Sequence, residues 1–420
     1  MLVVGSVVGA GIFLVGGFVA ESVRSPLGFL GVWVAGGAFA LSGALCNAEL
    51  GALFPRGGGE YVYLRESFGE GLGFLSGWTS FWIGFPGSIA TLAAGFGRGV
   101  AELVGLGPWA ESAIGIFTVL LLTAVNVRGL RSGKWIWNVL SVGKLAAFGA
   151  VLVLGLAFGS RHGAHFRPFV AAESPRGLAM ALIPIYFAYS GWNAATYVAG
   201  EMKDPRKDLG RALGLGTIIC TILYLLVNTG FLNALGLDAM RNSKNLAGSA
   251  AAETFGAGVG SLVTVLVIVA VLSSLQATMV VGPRIYHAMA EDGLFPRYLA
   301  RLSPKTRAPT GALVVQGVIS SVLLLSGKFE ALLNFTTFAL CLFSILCVLA
   351  VPMLRITKPD ALRPFKTPGY PLTPALFVLG NGWVLVNLLT SGAREAIIGA
   401  AIVLTGVPGY LFFRRSLRKG

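Results

Sequence analysis

Apolar residues in this chain gather into runs of about 20, divided by short polar loops, and that is the length an α-helix needs to cross a bilayer. Twelve such runs can be placed, at about 1–20, 27–53, 71–97, 110–127, 134–158, 177–200, 210–235, 257–283, 310–326, 330–354, 371–390 and 395–413. The pattern predicts an all-α polytopic membrane protein of about 12 transmembrane helices, and the even count returns both termini to one side. Two of the runs are interrupted by glycine, at Gly5-Ser-Val-Val-Gly-Ala-Gly-Ile-Phe13 and at Phe187-Ala-Tyr-Ser-Gly-Trp-Asn193. Broken spans at corresponding positions of two halves point to the solute site of a secondary transporter, because unwound backbone offers free N–H and C=O groups. Such groups are tolerated at membrane depth only where they line a cavity.

Composition agrees. Hydrophobic residues make up 55% and charged residues 12%, against about 25% charged in soluble domains, and the mean hydropathy is +0.77. The 58 glycines suit helices that approach closely through small residues. The formal charge of +14 is distributed by topology. Of the 32 Lys and Arg, 22 fall in the alternate loops and tail assigned to the cytoplasm and nine in the opposite loops. The positive-inside rule then places both termini in the cytoplasm of a multi-pass protein of the cell membrane. Nucleic acid need not be invoked as a partner.

Other candidates carry less. A signal peptide would need a basic start and an unbroken apolar core, and the first run has neither. Cys46, Cys220, Cys341 and Cys347 all lie within spans without metal-like spacing and read as packing residues. His162 and His165 are too few for a metal site, so neither metal nor cofactor is expected.

Lys144 is more informative. It follows Gly133, where the fifth span begins, by eleven residues, so at 1.5 Å per residue it lies roughly 16 Å into a core about 30 Å thick. A lysine at that depth costs on the order of 2.5–3.5 kcal/mol and usually faces the bundle interior with a functional role; packing alone is the competing reading. Glu49 ends the second span beside Pro55-Arg56 and reads as an interface anchor. No carboxylate falls in the middle of any span, so a carboxylate proton relay or sodium cage lacks obvious ligands. No nucleophile, base and orienting group converge, which argues against an enzyme.

The two breaks, Ala48-Glu49-Leu50, Pro55-Arg-Gly-Gly-Gly-Glu-Tyr-Val-Tyr-Leu64, Lys144-Leu145, Glu201-Met-Lys-Asp-Pro205 and Leu209-Gly-Arg-Ala212 together resemble the amino acid-polyamine-organocation (APC) superfamily, and within it amino acid permeases related to the L-type exchangers. The resemblance runs in order along nearly the whole chain. It implies a LeuT-like fold with 5+5 inverted repeats in a single transporter domain: repeat one about 1–158, repeat two about 177–354, and two extra helices about 371–413.

The resemblance also implies site residues. The solute carboxylate would be held by backbone N–H groups of Gly9, Ala10 and Gly11 with Ile12 beside them, as suits the N-terminus of a half-helix. The α-amino group would be held by carbonyls of Val7, Phe187, Ala188 and Ser190, with Phe187 also the aromatic lid. Gly191, Trp192 and Asn193 would support the second break. Tyr186 and Tyr189 leave a lipid-facing reading open. Lys144 matches the lysine that stands in for sodium in sodium-independent relatives, either carrying a proton or bracing the first break as a fixed charge. Ala10 replaces the Ser of many relatives, and Ser190 sits where relatives vary. The chain begins almost at the first break, which implies a shortened inner half of the first span or a misassigned start.

The expected function is sodium-independent secondary transport of amino acids by alternating access, as proton symport or exchange. A neutral amino acid is favoured, because a cationic solute calls for an acidic residue near the pocket and none lies in a mid-membrane zone. Cationic amino acids or polyamines are the alternative, followed by an ion-coupled carrier or channel and a transport-inactive sensor. With no cysteine in an outer loop, no disulfide-linked partner is expected.

Overall fold

The computed structural model describes residues 9–129, 142–144, 146, 148–153, 169–197, 202, 204–241, 243, 245–304, 308–326, 329–390 and 394–417. Val7, His162 and His165 lie outside the described residues. Among those described, the regular structure is helical, with no strand.

The first helix among the described residues, α1 (Gly11–Ser22), is followed by α2 (Pro26–Leu53) and then by α3 (Glu60–Phe68), a short helix in the loop between the second and third spans. A third span follows as α4 (Glu70–Thr79), a π-helical turn at Ser80–Gly84, and α5 (Phe85–Leu103). Next come α6 (Pro108–Arg128) and α7 (Val142–Val153). The second broken span is α8 (Pro175–Tyr189) and the short α9 (Ala194–Tyr197). Then follow α10 (Pro205–Arg241), α11 (Leu246–Phe255), α12 (Ala257–Val281), α13 (Pro283–Glu291), α14 (Thr310–Ser326), α15 (Phe329–Thr357), α16 (Leu372–Thr390) and α17 (Arg394–Leu417).

Seven helical stretches among the described residues are long and apolar enough to cross a membrane, and α1, α7 and α14 are shorter apolar helices. Large apolar side chains such as Phe117, Leu121, Ile219, Leu379 and Ile397 stay exposed. Exposed apolar surface on this scale is what a multi-pass protein presents to lipid.

Local chemistry sets the helix starts. Ser25 and Ser174 cap α2 and α8 in the same way: each hydroxyl accepts the N–H three residues on, from Gly28 and Gly177, both at 3.0 Å. Each is followed by a proline, whose missing N–H costs nothing at the first helical position. The Glu173 carboxylate ties the two starts together, accepting N–H bonds from Arg24 at 2.9 Å and Ser25 at 3.0 Å. The start of the second broken span is thereby fixed to the end of the first, and α1 packs along α8.

Candidate functional site

The two breaks meet. A Cβ built on Gly11 would lie 2.5 Å from the Cα of Ala188, a separation that only glycine permits. In the first break, Gly9 and Ala10 precede the start of α1, and the opening N–H groups of a helix have no carbonyl of their own helix to bond. The Ala10 N–H donates to Ser274 Oγ on α12 at 3.2 Å. In the second break, α8 stops at Tyr189, Ser190 N–H returns to the Phe187 carbonyl at 3.0 Å, and Gly191 takes φ +98°. Left-handed backbone of this kind favours glycine.

Between the breaks lies a cavity of about 120 Å³, room for several waters or a small solute. Its lining includes Gly9, Ala10, Gly11, Phe187, Ala188, Ser190, Gly191, Trp192 and Asn193, so most of the residues singled out in the sequence come together here. Ile12 is fully buried in α1 and is not among the lining residues. Glu49 lies elsewhere: its buried carboxylate accepts from Arg355 Nη2 at 2.7 Å and from the Thr367 N–H at 2.7 Å. Arg363 stands 3.5 Å from the same group. This is an anchor tying α2 to the end of α15. Trp192 is buried against the Phe377 ring, with centroids 5.7 Å apart.

Lys144 is buried but is not among the described residues that line the cavity. Residues four apart share a helix face, and Phe148, one turn beyond Lys144, packs on Phe13 of α1 at 4.9 Å between ring centroids. The lysine-bearing face of α7 is therefore turned toward the first break.

Two expectations need correction. Tyr186 and Tyr189 are not lipid-facing: Tyr186 lines the cavity, and Tyr189 is buried with its hydroxyl donating to the Trp33 carbonyl at 3.0 Å. Nor does the pocket lack an acidic residue. Glu60, 4% exposed, lines the cavity although it lies outside every predicted span. The Gly57-Gly58-Gly59 turn folds the start of α3 inward, with φ +118° at Gly58 and +53° at Gly59. A Cβ on Gly59 would strike the Tyr197 ring at 2.4 Å, so the turn is what lets Glu60 reach so deep. Glu60 Oε1 accepts from Asn193 Nδ2 at 3.1 Å and Ser344 Oγ at 3.2 Å. Burial pushes its carboxyl up to about 7, and these two hydrogen bonds only partly oppose the rise.

Tyr224 is a second residue that sequence reasoning missed. From the middle of α10 its hydroxyl donates to the Ala188 carbonyl at 2.9 Å and takes the Gly9 backbone N–H, joining the two breaks. Its buried ring packs edge-on against Trp33, with centroids 5.5 Å apart. Nothing in the apolar run 210–235 sets this tyrosine apart from a packing aromatic.

A helix opening at Gly9-Ala10-Gly11 and a helix broken at Ser190-Gly191, in contact beside a cavity, agree with a family match to amino acid permeases over residues 1–413. The chain belongs to the amino acid permease family. Among its relatives, the permease is similar to the serine/threonine exchanger SteT of Bacillus subtilis (strain 168), 32% identical over 412 residues covering 97% of this chain and 94% of that one. It is also similar to the human large neutral amino acids transporter small subunit 2, 32% identical over 426 residues, 97% of this chain and 78% of the relative. The b(0,+)-type amino acid transporter 1 of Rattus norvegicus is 28% identical over 424 residues, 98% and 86% of the two chains. The permease is thus a multi-pass membrane transporter of amino acids, in a family of transporters rather than enzymes.

Proposed function

We propose that this permease carries neutral L-amino acids, independently of sodium and by alternating access, with the solute held between the two breaks. The observation that carries the reading is the contact of Gly11 with Ala188 beside a cavity lined by unwound backbone from both segments. N–H groups opening α1 suit a carboxylate. Carbonyls at the end of α8 suit the three donors of an ammonium. In this reading Gly9, Ala10, Gly11 and Ile12 offer the donors, the N–H groups of Gly9 and Ala10 exchanging their bonds to Tyr224 and Ser274 for the carboxylate, and Phe187, Ala188 and Ser190, with Val7 outside the described residues, offer the acceptors. Similarity to a serine/threonine exchanger and to a large neutral amino acid transporter supports a neutral solute. The cytoplasmic placement of both termini, the 5+5 repeat and the role of Lys144 belong to the same proposal. The four cysteines are buried, which supports a chain that works without a disulfide-linked partner.

One observation favours cationic amino acids as the second reading. Glu60 supplies the acidic wall that such a solute calls for, and the similarity to a b(0,+)-type transporter points the same way.

Ligand-dependent melting of the purified permease in sodium-free detergent solution tests the reading. A solute that binds the folded state stabilises it by about 2.7 kcal/mol at a concentration of about 100 times its Kd. L-serine or L-leucine should raise the melting temperature where D-glucose does not. A shift with L-lysine alone would replace the first reading by the second, and no shift with any amino acid would remove both.

A further inference from the structure

We propose that Glu60 is a proton site of the transport cycle, and that its charge state governs how firmly Asn193 holds the second break against α15. The proposal rests on the reading of the cavity as an amino acid site.

Among the described residues, Glu49 and Glu60 are both deeply buried carboxylates, and their surroundings treat them in opposite ways. Glu49, 2% exposed, has the cations of Arg355 and Arg363 beside it at 2.7 and 3.5 Å. Glu60, 4% exposed, has no cation within ion-pair distance among the described residues. Its two hydrogen bonds, from Asn193 and Ser344, both end on Oε1, which leaves Oε2 to the cavity that Glu60 lines. The titratable groups that face it are Tyr63 on its own helix, Tyr186 and Tyr197 on either side of the second break, and Cys347 on α15. All four are neutral in their ordinary state, and no charged group joins them among the described residues. An ionised carboxylate in such surroundings sheds its charge by taking up a proton. The position of Glu60 at the first residue of α3 favours the anion, but the field of a helix end is weak beside the cost of burying a charge. The rise of its carboxyl with burial follows from the same balance.

The surrounding bonds connect this proton to motion. Asn193 Nδ2 donates both to Glu60 and to Tyr197 Oη, at 3.0 Å, so one amide links the break between α8 and α9 to α3. Ser344 extends the link to α15. As a carboxylate, Glu60 is a strong acceptor for both donors; once protonated it accepts more weakly. The proton passes between Oε2 and water in the cavity, leaving a carboxylate and a hydrated proton, and no other group is consumed. A cycle in which the loaded carrier needs the neutral form takes a proton with each solute and is driven by an inward proton gradient.

The test uses the full chain in sodium-free proteoliposomes, with labelled L-serine and a trapped pH dye, comparing wild type with Glu60→Gln and Glu60→Asp. Wild-type net uptake should fall roughly tenfold per pH unit once the carboxyl is mostly ionised, and serine influx should acidify the lumen. The serine flux of Glu60→Gln, whatever its rate, should show a flat pH profile and no lumen acidification. Glu60→Asp should keep a pH-dependent profile, displaced along the pH axis, and decides between proton site and bystander if the Gln variant fails to fold by its melting curve. A Glu60→Gln profile identical to wild type would overturn the proposal. So would selective loss of L-lysine uptake with serine coupling unchanged, which would make Glu60 a recognition group for cationic solutes. Absence of uptake of any amino acid by folded wild type would instead remove the amino acid reading itself.

Discussion

Gly11 and Ala188, 177 positions apart in the chain, lie so close that a Cβ on the first would sit 2.5 Å from the Cα of the second. The obstacle is backbone, which cannot swing aside as a flexible side chain does. Gly11→Ala should therefore force the breaks apart, costing about 1–3 kcal/mol and reshaping the cavity. The expected result is a lowered melting temperature together with loss of amino acid uptake. Uptake at the wild-type rate would show that the breaks need not touch.

Tyr224→Phe keeps the ring that packs on Trp33 and removes the hydroxyl that joins Ala188 to Gly9. Leaving buried partners unpaired costs about 1–3 kcal/mol. Solute affinity, measured by competition binding, should weaken with little change in the amount of folded protein.

Lys144→Ala removes a buried cation whose helix face, through Phe148 and Phe13, is turned to the first break. Membrane insertion should improve by about 2.5–3.5 kcal/mol on insertion scales, so expression should hold while exchange falls to background. Full exchange in this variant would reduce the lysine to packing.

Glu49→Gln leaves Arg355 and Arg363 facing a neutral amide in a largely buried pocket. Breaking a buried pair on one side typically costs about 3–5 kcal/mol. The melting temperature should drop sharply, whereas solute affinity in the protein that remains folded should be unchanged, because the anchor lies away from the cavity.

Much of this was legible in the chain itself. Apolar run length placed α2, α6, α14, α15, α16 and α17 to within a few residues, because a bilayer imposes one length on every span. Glycine marked both breaks for the same reason: unwound backbone needs residues such as Gly191 that accept φ +98°. Lys144 is buried, as a lysine inside an apolar run must be unless it reaches water. Glu60 was not legible, since a polar loop of three glycines reads as surface, and only the fold shows that those glycines tuck α3 inward against Tyr197. The acidic wall of the pocket thus comes from outside the spans. Tyr224 and Tyr186 were hidden differently, as aromatics in apolar runs whose inward direction depends on how α8 and α10 pack. The π-helical turn at Ser80–Gly84, which brings Gly84 and Phe85 to the cavity, has no pattern of its own in an apolar run, although such turns often accompany functional sites.

The central claim is that the two breaks form one amino acid site, and uptake in sodium-free proteoliposomes tests it most directly. Wild-type permease, preloaded or under an inward proton gradient, is challenged with labelled neutral and cationic amino acids alongside Gly11→Ala. The account predicts saturable uptake of a neutral L-amino acid by wild type and its loss in the variant. Folded wild-type protein that moves no amino acid under either condition, or a variant that transports as well as wild type, would contradict it.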